Sequence, residues 1–154
     1  MELRDRWFDD YAVGESFEVA ASHVMEAERM MAFAREFDPQ TFHVDPEAAA
    51  GTIYGGLIAS GWQTCGIAMR LAVQAALEGS ESFASPGLAH LRWPHPVRAG
   101  DALRLRITVL DQVPSRSKPD RGALTCRNEL HDQTGRVVLS LEATMLLLKR
   151  PEPG

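Results

Sequence analysis

Asp38 and His43 lie five positions apart in Phe37-Asp38-Pro39-Gln40-Thr41-Phe42-His43-Val44-Asp45. A carboxylate can orient or take a proton, and an imidazole near neutrality can give or take one, so the two form a candidate acid/base pair. On a continuous helix this spacing would point them in different directions. Pro39 pushes the residue before it out of the α region, and a loop started there frees both side chains to converge. The same segment has a purely structural reading: Asp38 opens an Asx-Pro turn, His43 is a partly buried histidine with its hydrogen bonds satisfied, and Asp45 is a helix cap.

Other chemistry-bearing residues are less organised. Ser60 does not sit in a Gly-x-Ser-x-Gly elbow, which argues against a serine hydrolase. His90, His95 and His131 lack ligand spacing, so no metal site is expected. Ser115-Arg116-Ser117-Lys118-Pro119-Asp120-Arg121-Gly122 gathers three cations in a hairpin loop, either a solvated turn or an attraction for phosphate.

The elements that must position these groups centre on Gly55–Leu77, a stretch with one charge, Arg70. A helix that is apolar or small nearly all round has to be buried, and Gly61, Gly66 and several alanines suit one gripped closely by a curved sheet. Ser60, Gln63, Thr64, Arg70 and Gln74 break the continuous apolar run of about 20 residues that a bilayer demands, so no membrane association is expected. Before it, Phe17–Met25 reads as a strand. Met30, Phe33, Ala34 and Phe37 form one helical face ended by Pro39, and Asp45-Pro46 starts a short helix. Beyond it, strands are expected at Pro86–Trp93, Asp101–Val113, Arg121–Asp132 and Arg136–Lys149. The clearest are those where Leu103, Leu105, Ile107 and Val109, and Leu124, Cys126, Asn128 and Leu130, alternate with polar neighbours. The expected fold is α+β: an antiparallel sheet of about five strands curled round one long helix, with Trp7, Phe8 and Tyr11 tucked against it.

The chain of 154 residues is the size of one domain, 1–154, with the composition of a soluble globular protein, 45% hydrophobic and 24% charged. The mixed charges of Met1–Asp10 do not resemble a secretory signal, and Cys65 and Cys126 form no short-spaced pair, so a cytoplasmic location is expected. The net charge of −5 hides an asymmetry: residues 1–54 hold four basic and twelve acidic side chains, and 85–130 hold eight basic and four acidic. An acidic domain is a poor nucleic-acid binder, whereas a local basic region can attract a phosphorylated small molecule.

Asp-x-x-x-x-His-x-Asp followed by Tyr54-Gly55-Gly56-Leu57-Ile58-Ala59-Ser60-Gly61-Trp62 resembles the MaoC-like dehydratases, which include the R-specific enoyl-CoA hydratases. Pro96-Val97-Arg98-Ala99-Gly100-Asp101 is similar to a turn these proteins carry later, and the match runs from about Phe17 to Leu148. The resemblance implies a hotdog fold, subunits paired through their sheets as a homodimer or an assembly of dimers, and a CoA thioester held near a subunit interface. It implies no cofactor, since CoA is part of the substrate. By the same resemblance Asp38 and His43 match the catalytic pair, and Gly61 matches the glycine whose amide faces the thioester carbonyl. An N–H in the first turns of a helix is a preorganised donor for the charge that develops there. Phe42, Tyr54 and Trp62 are expected to line the acyl tunnel, Ser60 to touch substrate, and Arg116, Lys118 and Arg121 to hold the CoA phosphates. The chain departs from the family pattern with Gln40-Thr41 in place of Asn-Pro, Ser60 in place of His, and Met69 where some hydratases have serine. A hydratase or dehydratase is the reading these residues favour. A hotdog thioesterase is the first alternative, opposed by the lack of a carboxylate from Gly55 through Leu77, and a non-catalytic acyl-binding subunit is the second.

Overall fold

The computed structural model describes residues 2–153. Its strands are β1 (Ser16–Val24), β2 (Ser82–Arg92), β3 (Ala102–Pro114), β4 (Arg121–His131) and β5 (Val137–Leu148). The helices are α1 (Ala27–Phe37), α2 (Thr41–Val44), α3 (Pro46–Ala50) and α4 (Gly61–Ala72), the last running on through a π turn at Val73–Leu77. All strand pairings are antiparallel in the order β1-β3-β4-β5-β2, and the sheet wraps α4 as the hotdog fold requires.

Alternation decides which face is which. Leu103, Leu105, Ile107 and Val109 of β3, with Leu124, Cys126 and Leu130 of β4, are buried against Ile67, Ala68, Leu71 and Ala72 of α4. Each fully buried leucine or isoleucine contributes about 1.5–3 kcal/mol relative to exposure, so these elements form the core. The opposite face carries a polar ladder: Arg106 pairs with Glu18, Ser16 with Thr108, Thr125 with Thr144, and Arg127 approaches Glu142. That face is therefore polar, half-buried to exposed. The surface left bare lies elsewhere, along β2, which bonds only to β5 and exposes Phe83 and Leu88, and along the side of α4 that exposes Trp62 and Met69.

Two expectations about α4 need correction. It begins at Gly61, not beside Gly55, because Ser60 caps it and residues 57–60 have no helical structure, their amides at Ile58 and Ala59 bonded to Phe42 and Val97 carbonyls. It is also not buried all round, since Trp62 is 58% and Met69 57% exposed. Asp45 caps α3 as its position ahead of Pro46 implies, accepting from Glu47 and Ala48 N–H. The β4–β5 turn is held by Asp132, which accepts from Thr134 and Arg136. Burial pushes this carboxyl up, but those donors outweigh it and hold it at about 2. No helix among the described residues is long and apolar enough to cross a membrane.

Candidate active site

The local chain path explains how Asp38 and His43 meet. Asp38 is the C-cap of α1, its N–H bonded to Ala34, and Pro39 turns the chain into the single-turn helix α2, which carries His43 inward to 5% exposure. There the imidazole Nδ1 lies 2.8 Å from the Ile58 carbonyl. A carbonyl only accepts, so Nδ1 carries the hydrogen and Nε2 is the atom left to exchange a proton. Nε2 faces Asp38 Oδ2 at 3.2 Å.

Asp38 is gripped from two further directions. Gln40 Nε2 donates to Oδ1 at 2.8 Å and Ser60 Oγ donates to Oδ2 at 2.8 Å. Partial burial pushes the Asp38 carboxyl up, but the Gln40 amide, the Ser60 hydroxyl and the neighbouring His43 outweigh it and hold the group below its usual value. The carboxylate therefore stays an acceptor. A proton arriving at Nε2 of His43 is shared with a charge already in place, so the pair can take a proton from a bound water and return it elsewhere.

The pair opens into a cavity of about 510 Å³ lined by Phe42, Tyr54, Ile58, Gly61, Trp62, Trp93, His95, Val97 and Val138 among others. The Phe42 and Tyr54 rings pack 5.1 Å apart on one wall, and Trp62 meets Trp93 edge to face at 5.6 Å on another. Asp38, His43, Gly61, Phe42, Tyr54 and Trp62 are thus brought together. Ser60 also lies here, but at 0% exposure with its hydroxyl engaged by Asp38 it is not a surface a substrate can touch.

Gly61 has a second physical reason to be glycine. A Cβ there would lie 2.5 Å from Trp93 Cε2, and Trp93 Nε1–H donates to the Gly61 carbonyl at 3.0 Å. The space over the Gly61 Cα therefore holds an indole. The Gly61 N–H itself finds no acceptor among the described residues. Trp93, Val97 and Val138 escape sequence reasoning because the segment after β2 and strand β5 bring them from far along the chain. The signal that marked Trp93 is Trp93-Pro94-His95-Pro96, whose prolines end β2 at the cavity.

The cations at 116–121 are not part of this cavity. The register pairs Arg121 with Leu148 at one end of the β4–β5 ladder and His131 with Val137 at the other, ten residues or about 30 Å along β4 at the usual rise. The cavity adjoins the second end, where Val138 lies. Arg121 is occupied by Asp120 and stacks over Phe83, while Arg116 and Lys118 are exposed.

Comparison with known proteins agrees with this architecture. The MaoC like domain model matches residues 10–129. A crystal structure of the MaoC-like dehydratase from Rhodospirillum rubrum superposes with a TM-score of 0.89 at 44% identity, covering 96% of this chain and 99% of that one. The uncharacterized protein YdeM of Bacillus subtilis is 32% identical over 90% of this chain and 96% of its own length. A 3-hydroxybutyryl-CoA dehydratase of Methylorubrum extorquens is 29% identical over 98% of this chain and 90% of its own. With the matched segment spanning the paired Asp38 and His43, the first turn of α4 and most of the sheet, the chain belongs to the MaoC-like domain family.

Proposed function

We propose that the protein adds or removes water across the α,β bond of an acyl thioester, an enoyl-CoA in one direction and a 3-hydroxyacyl-CoA in the other. The observation that carries this reading is the Nε2 to Oδ2 contact of 3.2 Å between His43 and Asp38 at the wall of a cavity that also contains Gly61. In hydration, water oxygen bonds the β-carbon while one of its protons passes to His43 Nε2 beside the Asp38 carboxylate. The π electrons move onto the thioester, and the Gly61 N–H at the start of α4 stabilises the enolate oxygen. The pair then returns a proton to the α-carbon, so that H and OH are added and nothing is left over. The dehydratase name of the Methylorubrum relative supports the same chemistry.

Two departures from the family pattern fit this role. Gln40 and Ser60 both donate to Asp38, so they support the carboxylate and speak against a merely binding subunit. The thioesterase alternative has no carboxylate on α4 to work with. The test is a spectrophotometric screen of enoyl-CoAs of graded length and branching, with thiol release followed on the same samples. Hydration without thiol release is expected, and thiol release without hydration would put the thioesterase in its place.

The acyl chain is assigned to the apolar wall of the cavity formed by Phe42, Tyr54 and Trp62. Trp62→Ala is expected to change chain-length preference more than turnover of the best substrate, and an unchanged preference profile would make Trp62 a packing residue only.

The bare strip on β2 and α4 is assigned to a second copy of this chain. An unpaired edge strand invites pairing, and a two-fold axis covers the same patch on both copies. Light scattering at micromolar concentration is expected to give twice the 17.0 kDa of one chain or an even multiple of it, and a monomer would overturn the assignment. A two-fold pairing of β2 edges reverses one sheet relative to the other, so any phosphate held by Arg116, Lys118 and Arg121 would belong to the cavity of the other subunit.

A further inference from the structure

We infer that Ser60 is a positioning residue for Asp38, a hydroxyl whose single proton is committed to the carboxylate by the first turn of α4. Ser60 Oγ lies 3.3 Å from the Trp62 N–H and 2.8 Å from Asp38 Oδ2. The amide can only donate and the carboxylate only accept, so the hydroxyl accepts from the helix and gives its proton to Asp38. At 0% exposure the hydroxyl is out of reach of solvent, so water does not compete with it for either bond.

The residue itself is held on both sides. Its carbonyl accepts from Thr64 N–H and from the Thr64 hydroxyl, both at 3.2 Å. The preceding Ala59 N–H is bonded to Val97 at 2.8 Å, and Ile58 N–H to Phe42 at 3.1 Å. The same segment therefore fixes both members of the pair, His43 through the Ile58 carbonyl and Asp38 through the Ser60 hydroxyl. Gln40, the other donor to Asp38, is exposed, and water can take its place. Ser60 is thus the donor that sets where Oδ2 sits relative to Nε2 of His43.

The remaining groups near Asp38 do not duplicate this role. His43 faces it from α2, while His95 and Tyr54 line the same cavity from the loop after β2 and the loop before α4. Arg98 is turned to the Tyr54 carbonyl, and α4 carries no charge before Arg70. A serine hydroxyl does not titrate in the working range, so Asp38 keeps this donor at every pH the protein meets.

Ser60→Gly separates positioning from capping, because glycine caps a helix nearly as well as serine whereas alanine does not. The first readout is free of any assumption about the reaction: titration of the Asp38 carboxyl carbon by NMR. In Ser60→Gly and Ser60→Ala it is expected to move upward by about one pH unit, the usual worth of a hydrogen bond to a charged group. Ser60→Thr, which keeps the hydroxyl, is expected to leave the titration in place. The second readout rests on the hydratase reading: the acid limb of kcat/KM should move up with the carboxyl, and kcat should fall about tenfold, less than the roughly 10²-fold or more expected when the acid–base group itself is lost. An Asp38 titration in Ser60→Gly that coincides with the unmutated protein would reduce Ser60 to a helix cap and overturn the inference. A shifted titration in a protein that hydrates no enoyl-CoA would uphold the positioning role and remove the hydratase reading instead.

Discussion

Asp38→Asn is expected to lower kcat for enoyl-thioester hydration by at least about 10²-fold, the usual worth of positioned acid–base catalysis, with little change in thermal unfolding. The substitution keeps the shape of the side chain and one acceptor oxygen for the Ser60 or Gln40 donor. What it removes is the charge beside His43 Nε2, and with it the stabilisation of a proton arriving on the ring. His43→Asn is the matching probe, since its amide can still donate to the Ile58 carbonyl that anchors the imidazole. If both side chains handle the same proton, the double variant should lose little more than the worse single, because groups that act as a unit are strongly non-additive. Thiol release is measured on the same samples. Hydration by Asp38→Asn at the unmutated rate would remove the reading at its centre.

The parts of this arrangement that local pattern determines were legible in the sequence, and the parts that depend on long-range pairing were not. Alternation in β3 and β4 needs no partner to be read, and Asp45 ahead of Pro46 marks the start of α3 by its own chemistry. Leu57-Ile58-Ala59 is a continuous apolar run, which has no period to separate extended chain from buried helix, so sequence pattern puts the start of α4 too early. That error conceals the Ile58 carbonyl that fixes His43 and the burial of Ser60. Charge alone points the 116–121 hairpin toward the site, and only the register of β4 against β5 puts it at the far end of the sheet. Gly61 shows a further limit. A glycine can signal close approach without saying what approaches, and here the neighbour is Trp93.

Gly61→Ala is expected to cost about 10²-fold in kcat, at the lower end of what one oxyanion donor supplies. Its thermal midpoint should fall by only about 2–4 °C, the equivalent of about 1 kcal/mol in a domain of this size. The added Cβ would lie 2.5 Å from Trp93, a distance no real contact sustains, and the neighbour that gives way is the indole, which is 43% exposed. Its swing breaks the Nε1–H bond to the Gly61 carbonyl, a single exposed hydrogen bond worth about 1 kcal/mol. The cavity loses more, because Trp93 and Trp62 form its wall beside the first amide of α4, and a displaced wall admits water at the place proposed for the thioester oxygen. Trp93→Ala on the Gly61→Ala background separates the two demands on this glycine. Removing the indole relieves the clash, so the stability change caused by the methyl group should vanish, as expected when two neighbours couple. The methyl group still stands beside the amide proposed to face the thioester oxygen, so kcat should stay well below that of Trp93→Ala alone. Recovery to the Trp93→Ala level would leave Gly61 as a packing partner for the indole and take its N–H out of the reaction.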